Sequence, residues 1–535
     1  MYIRRVCLVF CAMIFCSCAL LLKIYDIAAY KESAVSALSG QYTRKVKVLE
    51  RNGFVLDRNE NIISHKVESS LCVVNPKGVR DENGVVSYLE KSAATGISEI
   101  IEKLRKNEPF SVTLKDFPEE SAPAGLYVFE NYTENDNFFC RHLLGYYNSE
   151  NKGVTGVYRR FSDTLSLLSG SVEYRYDADP GGNPFADNNF CISDKNYSSK
   201  TGVVLTVDEK IQRICDEVCE DMLFDGAVLV CSVSDGSVLA LSSRPLYDKD
   251  NIAKSLDSPH GDLINKAFSR YAPGSVFKTV VAASALEKDE ALYNFEYECT
   301  GSVEIGDKIF RCHNLSGHGK QTMKEAYANS CNTYFYALAK ETGYEEICYT
   351  ARRMGIGDET AACGLAVKEA SFPKEDETHT DAYLANMAIG QGDMLLSPFD
   401  VMKITLCAVS GEKAEFSLVK KIIYPSESVE IENKTVKKRV LGEETAEKLA
   451  EMMRFCVTDG TGSGAYDENL KTSGKTATAQ SGQYKDGKEV LHRWFAGFFP
   501  SEKPELAVVV FCDGHAQNNA PPSKIFLEIA KRTQL

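Results

Sequence analysis

The chain has 535 residues, of which 44% are hydrophobic and 25% charged. That is too long for one ordinary core and too apolar for a disordered chain, so two or three folded domains are expected. The formal net charge of −14 argues against nucleic acid as a partner, because phosphates need neutralisation by Lys and Arg.

At the N-terminus, Arg4 and Arg5 precede an apolar run from Val6 to Leu22 broken only by Ser17. At a rise of ~1.5 Å per residue the run spans ~25 Å, enough for a short membrane crossing. The paired arginines favour a cytoplasmic N-terminus and an extracytoplasmic remainder. A cleaved signal peptide would show a similar run, but no clear A-x-A site follows it. A lipoprotein site at Cys18 has the wrong preceding residues, and a buried core helix fits poorly with basic flanks. The expectation is a retained single-pass anchor in the cell membrane, over residues 1–25.

Residues 26–200 read as a mixed N-terminal domain. Arg51-Asn52-Gly53 and Asp57-Arg58-Asn59 predict turns around a short strand, Phe54–Leu56, and Ile97–Leu104 predicts a helix. The Gly-, Asn-, Asp- and Ser-rich stretch 177–200 reads as a linker or exposed arm, with a domain boundary near Thr201. Beyond it, Asp208 can cap a helix carrying Ile211, Ile214, Val218 and Met222 at helical spacing. Ala227–Val233 and Val238–Ser242 predict strands joined at Asp235-Gly236. Helices are expected from Ser275 to about Leu365. Lys475–Ala479, Trp494–Phe499 and Leu506–Phe511 predict strands, with a turn at Asp486-Gly487, and Pro521-Pro522 opens a last helix. The fold class is α/β (α+β), a largely antiparallel sheet with a helical cluster against it, over residues 201–535.

Outside the N-terminal run the cysteines are scattered singly, without CxxC pairs, and the histidines show no HExxH spacing. Cys215 and Cys219 lie one helical turn apart with no matching pair. The thiols read as small buried hydrophobes and His318 as a loop-shaping residue, so neither a metal nor another cofactor is expected.

Three short motifs carry chemistry. Pro273-Gly274 leads into Ser275-Val276-Phe277-Lys278 and an apolar helical stretch, which puts Ser275 at a helix N-terminus where free N–H groups favour negative charge. Residues three apart share a helix face, so the Lys278 amine can reach the Ser275 hydroxyl. A serine needs a base to act as a nucleophile, and a lysine serves only when desolvated or crowded by another cation. Ser330-Cys331-Asn332 precedes a helical pattern ending at Gly343; Ser330 can relay a proton and Asn332 can donate to an amide carbonyl. Lys475-Thr476-Ala477-Thr478 lies on a predicted strand whose edge can pair with an extended peptide, with a cation and hydroxyls for its terminal carboxylate. Each motif alone is an ordinary cap or strand; the order of the three is what points to acyl transfer on a serine.

With these motifs, residues 200–535 resemble the transpeptidase domain of class B penicillin-binding proteins. Further landmarks are Tyr271-Ala-Pro-Gly-Ser-Val-Phe-Lys278, His318-Gly319, Ala388-Ile-Gly-Gln-Gly392 and Trp494-Phe-Ala-Gly-Phe-Phe-Pro500. His142-Leu-Leu-Gly145 and Gly153-Val-Thr-Gly156 resemble the family's non-catalytic pedestal. The resemblance implies the penicillin-recognising serine transferase fold and a substrate ending in D-Ala-D-Ala on a peptidoglycan stem peptide. It implies Ser275 as nucleophile, Lys278 as base, Ser330 and Lys475 as proton and charge carriers, and Asn332 as a peptide-positioning group. Thr476 and Thr478 would meet the carboxylate, and the N–H groups of Ser275 and Thr478 would form the oxyanion hole. β-Lactams and a membrane glycosyltransferase are the implied partners. Ala477 departs from the pattern, which has Gly there; its methyl either packs away from the cleft or narrows it. A D,D-carboxypeptidase, a β-lactamase-like hydrolase, and a non-catalytic sensor or scaffold are the competing functions. The anchor and pedestal favour cross-linking, and the presence of Ser275 and Lys278 speaks against a decayed scaffold.

Overall fold

The nearly unbroken apolar sequence near the N-terminus forms one helix, α1 (Tyr2–Tyr30), in a computed structural model. The structure describes residues 2–534 except 31–42, 95, 116–120, 136–138, 180, 182, 186–188, 259, 359–360, 363–364, 374–378, 432–437, 486 and 516–519. Among the described residues α1 is the one helix long and apolar enough to cross a membrane, over Ile3–Asp26. Its side chains from Ile3 to Asp26 are exposed.

The chain divides into two units. The first gathers residues 1–52, 66–133 and 168–200. It holds one antiparallel sheet of Thr43–Arg51, Gly170–Asp177 and Cys191–Lys195, and another of Phe110–Leu114, His65–Val74 and Leu126–Glu134. The helices Glu82–Ser92 and Ile97–Arg105 bury Val85, Leu89, Ile100 and Leu104 with Cys72, Val112 and Leu114. The predicted helix at Ile97 is therefore present. The stretch read as a linker is partly strand, because Cys191–Lys195 pairs with Ser171–Arg175. A polar composition hides such a strand: its residues are nearly all exposed.

The second unit gathers residues 53–65, 134–167 and 201–535. The strand β1 (Phe54–Leu56) runs parallel to β2 (Gly202–Leu205). Val55, Leu143, Val157 and Leu165 share one core with Leu205 and Leu229, which gives these early segments their place in this unit. Helix α2 (Glu209–Asp221) starts where expected, with Asp208 Oδ1 accepting from the Lys210 and Ile211 N–H groups.

The centre is a five-stranded antiparallel sheet built from β3 (Gly226–Ser232), β4 (Val238–Arg244), β7 (Ser473–Lys485), β8 (Lys488–Phe499) and β9 (Leu506–Cys512), in the order β4-β3-β9-β8-β7. Alternation sends Val228, Val230, Phe495, Val508 and Val510 to one face, against α2 and the last helix, Pro522–Gln534. Ala227, Leu229, Trp494, Val509 and Phe511 face the other way, into a helical cluster that includes α3 (Lys278–Lys288) and α4 (Asn332–Thr342). β7 and β8 extend well past the predicted strands; Asp486 of the predicted turn lies outside the described residues.

The middle of this unit is not all helix. Between α3 and α4 lie β5 (Tyr297–Cys299), which pairs with β6 (Gly319–Gln321), and a hairpin of Ser302–Ile305 with Lys308–Arg311. Strands of three or four residues are too short to read from periodicity.

Candidate active site

Gly274 has φ +56°, and a Cβ there would sit 2.9 Å from the Thr478 carbonyl oxygen. The glycine therefore lets the turn before α3 lie directly against β7. Gly390, from the Ala388–Gly392 landmark, closes over the same turn, its oxygen accepting from Gly274 N at 3.0 Å. Residues 274–277 form a 3₁₀ turn that runs into α3, so Ser275 stands at the helix start, half-buried.

Lys278 is fully buried one turn on. Its Nζ donates to the Ser330 carbonyl (2.6 Å), Asn332 Oδ1 (2.8 Å) and Ser330 Oγ (3.3 Å). Lys475, also fully buried, donates to the same Ser330 Oγ (3.0 Å) and to the Thr476 carbonyl (2.9 Å). The Ser330 hydroxyl thus lies between two amines. Burial pushes the Lys278 amine well below the ordinary lysine value, and neighbouring Lys475 pushes the same way. Burial also lowers Lys475. The Ser330 carbonyl reaches Lys278 because Ser330 takes φ +54°, a left-handed conformation that an L residue adopts at a cost of ~1–3 kcal/mol. The Ser330 N–H bond to the Tyr327 carbonyl at 3.1 Å and the Cys331 N–H bond to the Ala326 carbonyl at 2.8 Å hold this turn.

Ser275, Ser330, Asn332, Thr476, Ala477 and Thr478 line one cleft of about 510 Å³. All eight residues singled out from the sequence therefore lie in or directly beneath that cleft. One expected contact is not formed: among the described residues no hydrogen bond joins Ser275 Oγ to Lys278 Nζ, whose bonds go to Ser330 and Asn332. The Ala477 side chain is nearly fully buried and packs in the core cluster that holds its cross-strand partner Trp494, while still bordering the cleft.

These features identify the chain's relatives. Residues 226–531 match the penicillin binding protein transpeptidase domain, over half of the chain. The chain belongs to the penicillin-binding protein transpeptidase family. Stage V sporulation protein D of Bacillus subtilis (strain 168) is 27% identical over 514 residues, covering 90% of this chain and 77% of that protein. The penicillin-binding protein PBP2 of Helicobacter pylori, solved in complex with MreC, superposes with a TM-score of 0.63 at 20% identity, covering 92% of this chain and 99% of that one. The imipenem acyl-enzyme of penicillin-binding protein A from M. tuberculosis superposes with a TM-score of 0.62 at 21% identity, covering 76% and 93%. The class B assignment and the mixed α/β fold implied by the sequence resemblance both hold.

Several residues of the cleft carry no motif of their own. Thr461 Oγ1 is 2.6 Å from Thr476 Oγ1, and the Gly460–Gly464 segment that reads as a turn in sequence delivers it. Arg493, cross-strand from Thr478, adds a cation to the lining, and His313 borders the far side. The turn at Gly460–Gly464 and the Trp494 landmark next to Arg493 are the sequence signals nearest to them. A second group was missed altogether: Cys299, Cys312, His318 and Cys331 bring their ligand atoms within 4.8 Å of one another. These four residues could hold a metal ion, and the separation of Cys299 from Cys331 in the chain hid them from any short motif.

Proposed function

We propose that the protein is a membrane-anchored peptidoglycan D,D-transpeptidase that cross-links stem peptides through a Ser275 acyl-enzyme. The observation that carries this is the pair of buried, pKa-lowered amines of Lys278 and Lys475 converging on Ser330 beneath a cleft that Ser275 lines. Burial that lowers a lysine's pKa makes its neutral, basic form easier to reach than it is for a solvated ammonium.

In this reading the donor peptide lies along the β7 edge at residues 476–478, with its terminal carboxylate toward the hydroxyls of Thr461, Thr476 and Thr478 and the charge of Arg493. Ser275 Oγ attacks the penultimate D-Ala carbonyl carbon as its proton passes to Lys278 Nζ, which, once deprotonated, keeps two N–H donors and gives up the third of its bonds to accept the incoming hydroxyl. Catalytic hydrogen bonds commonly tighten only once substrate is bound. The N–H groups of Ser275 and Thr478 hold the oxyanion, worth ~3–4 kcal/mol for each donor. The C–N bond to the last D-Ala then breaks, and the proton reaches the leaving amine through Ser330 Oγ, between the two lysines. Asn332 orients the peptide amide. An amine from a neighbouring stem peptide attacks the ester, returns the proton to Ser275 along the same path, and closes the cross-link. A β-lactam enters by the same first step and stays attached. Helix α1 anchors the chain, with a cytoplasmic N-terminus and the two units outside. A membrane glycosyltransferase within a wall-building complex supplies the glycan strands.

The test is incubation of the full-length protein in detergent with fluorescent penicillin and, separately, with lipid-linked peptidoglycan precursor and a polymerising glycosyltransferase. Covalent label on the Ser275 peptide and cross-linked product with release of D-alanine are expected. Free hydrolysed peptide without cross-links would make it a carboxypeptidase; rapid penicillin turnover would make it a β-lactamase-like hydrolase; absence of label on folded protein would leave a scaffold.

A further inference from the structure

The two buried amines beneath the cleft are not held alike. An ammonium has three N–H donors and no acceptor. Those of Lys278 meet three oxygens: the Ser330 carbonyl, Asn332 Oδ1 and Ser330 Oγ. Lys475 Nζ meets two, Ser330 Oγ at 3.0 Å and the Thr476 carbonyl at 2.9 Å. Among the described residues no carboxylate pairs with either amine. One donor of Lys475 is therefore left without an oxygen, on a side chain with no exposure to water. What stands beside it is a ring. Lys475 Nζ lies 5.5 Å from the centroid of the Tyr327 ring, inside the ~6 Å over which an aromatic face attracts a cation.

Tyr327 belongs to the helix Met323–Ala328 and is fully buried. Three contacts fix it. Its hydroxyl shares a 2.8 Å hydrogen bond with Oγ1 of Thr279, the residue after Lys278. Its carbonyl accepts from Ser330 N at 3.1 Å. Its ring lies 6.4 Å from that of Phe335. Burial pushes the phenol upward in pKa, so the ring meets Lys475 as the neutral phenol and offers a π face, not an anion.

We infer that Tyr327 is a positioning residue for Lys475: its ring face stands in for a counter-ion, so that Lys475 keeps its proton while Lys278 gives one up. The other groups around Lys475 leave this task to the ring. α3 brings the Lys278 amine, which repels a second charge. The helix Glu443–Asp459 brings the Cys456 thiol, which favours the charge only as thiolate. The turn before α4 brings Ser330, and the cross-strand partner on β8 is Ala496; neither is charged. Arg493 and His313, along the cleft lining, add no negative charge. The consequence is a direction for the relay. A charged Lys475 donates to Ser330 Oγ and leaves the Ser330 hydrogen to pass to the leaving amine. The proton taken from Ser275 goes to Lys278, which then replaces the one Ser330 has given, and Lys475 neither gains nor loses one.

The inference deepens the transpeptidase reading and rests on it for its kinetic test, the pH profile of penicillin acylation by the full-length protein in detergent. A base that must be neutral gives an acid limb, and a partner that must be charged gives an alkaline one. Removing the ring in Tyr327→Leu destabilises charge on Lys475 in every state that carries it. The alkaline limb is expected to move down by ~0.5–1.5 pH units while the acid limb stays. Tyr327→Phe keeps the face and is expected to keep the limb, although it loses the bond to Thr279. If Tyr327→Leu fails to fold, progressively fluorinated phenylalanines at position 327 hold the shape and drain the ring face in steps; the alkaline limb is expected to fall in the same order. A limb unmoved across that series, or moved equally by Tyr327→Phe, would reduce Tyr327 to packing and overturn the inference. Labelling the lysines with ¹⁵N follows the Lys475 titration directly by NMR, with the signal assigned by its loss in Lys475→Met, and needs no acylation. A Lys475 titration that falls with fluorination in a protein that penicillin never acylates would keep this inference and sink the transpeptidase reading. Acylation of Ser275 with a Lys475 titration that ignores the ring would do the reverse.

Discussion

Two buried polar clusters meet at the turn Ser330-Cys331-Asn332, and they were legible in the sequence to opposite degrees. The amine cluster of Lys278, Ser330, Asn332 and Lys475 announces itself in three short strings. The thiol cluster of Cys299, Cys312, His318 and Cys331 announces itself in none. The difference lies in how each is assembled. Within the first, Ser275 and Lys278 are one helical turn apart, and Ser330 and Asn332 flank one helix start. Local geometry alone brings each pair together. In the second, Cys312 and His318 share one loop at 3.5 Å, but Cys299 joins them only through its pairing with Gly319, and Cys331 comes from the turn before α4.

The sharpest way to separate the clusters is to remove the nucleophile and leave the rest. Ser275→Ala is expected to abolish covalent penicillin labelling while leaving the melting temperature unchanged. Residual labelling on another residue, read by peptide mass spectrometry, would move the nucleophile elsewhere. Next in size is Lys278→Met, which keeps the volume but removes the base. Acylation is expected to fall by ~10²–10⁴-fold, the usual worth of a positioned acid–base group. The fold should survive, since replacing a buried amine by an apolar chain removes a desolvation cost. An unchanged acylation rate would assign the base to Lys475.

The pH dependence sharpens the comparison further. Lys278 is lowered by burial first and by Lys475 second, while the thiols of Cys331 and Cys312 push it upward. Acylation needs the neutral amine, so the rate is expected to fall as pH drops through the lowered pKa and to reach its plateau well below the ordinary lysine range. In Lys475→Met the second cause is gone, so the acid limb should shift to higher pH. The sign for stability follows from linkage. Between the folded and unfolded pKa values the unfolded chain binds more protons at this position, so its contribution to stability rises with pH across that window. An acid limb that stays put in Lys475→Met would show that the two amines do not sense each other.

Elsewhere, what the sequence revealed also followed local rules. The Asp208 cap, the β3–β4 hairpin at Asp235-Gly236 and the helix opened by Pro522 are set by neighbours in the chain. The strand Cys191–Lys195 reads as linker because its side chains are nearly all exposed and Ile192 alone of them packs on an apolar cluster, that of Tyr174 and Tyr176. The short strands around residues 297–321 were read as helix for a related reason: three residues cannot display a period. The place of residues 53–65 and 134–167 in the second unit depends on Val55 and Val157 reaching a core shared with Leu205 and Leu229, too far along the chain for any local window to contain.

The smallest expected effect falls on the one residue where the motif itself departs from its family. Ala477 fills the position usually held by Gly, and the structure buries its methyl beside Trp494 while leaving it at the cleft border. Ala477→Gly therefore loses a buried methyl, worth ~0.8 kcal/mol, and adds a strand glycine, costing a further ~0.5–1 kcal/mol. A fall in melting temperature of a few degrees is expected, with penicillin acylation changed by less than about tenfold, since the β7 backbone that pairs with the peptide is kept. If the melting temperature were unmoved and acylation rose sharply, the methyl would be acting in the cleft rather than in the core. Ala477 would then set how wide a β-lactam the site admits.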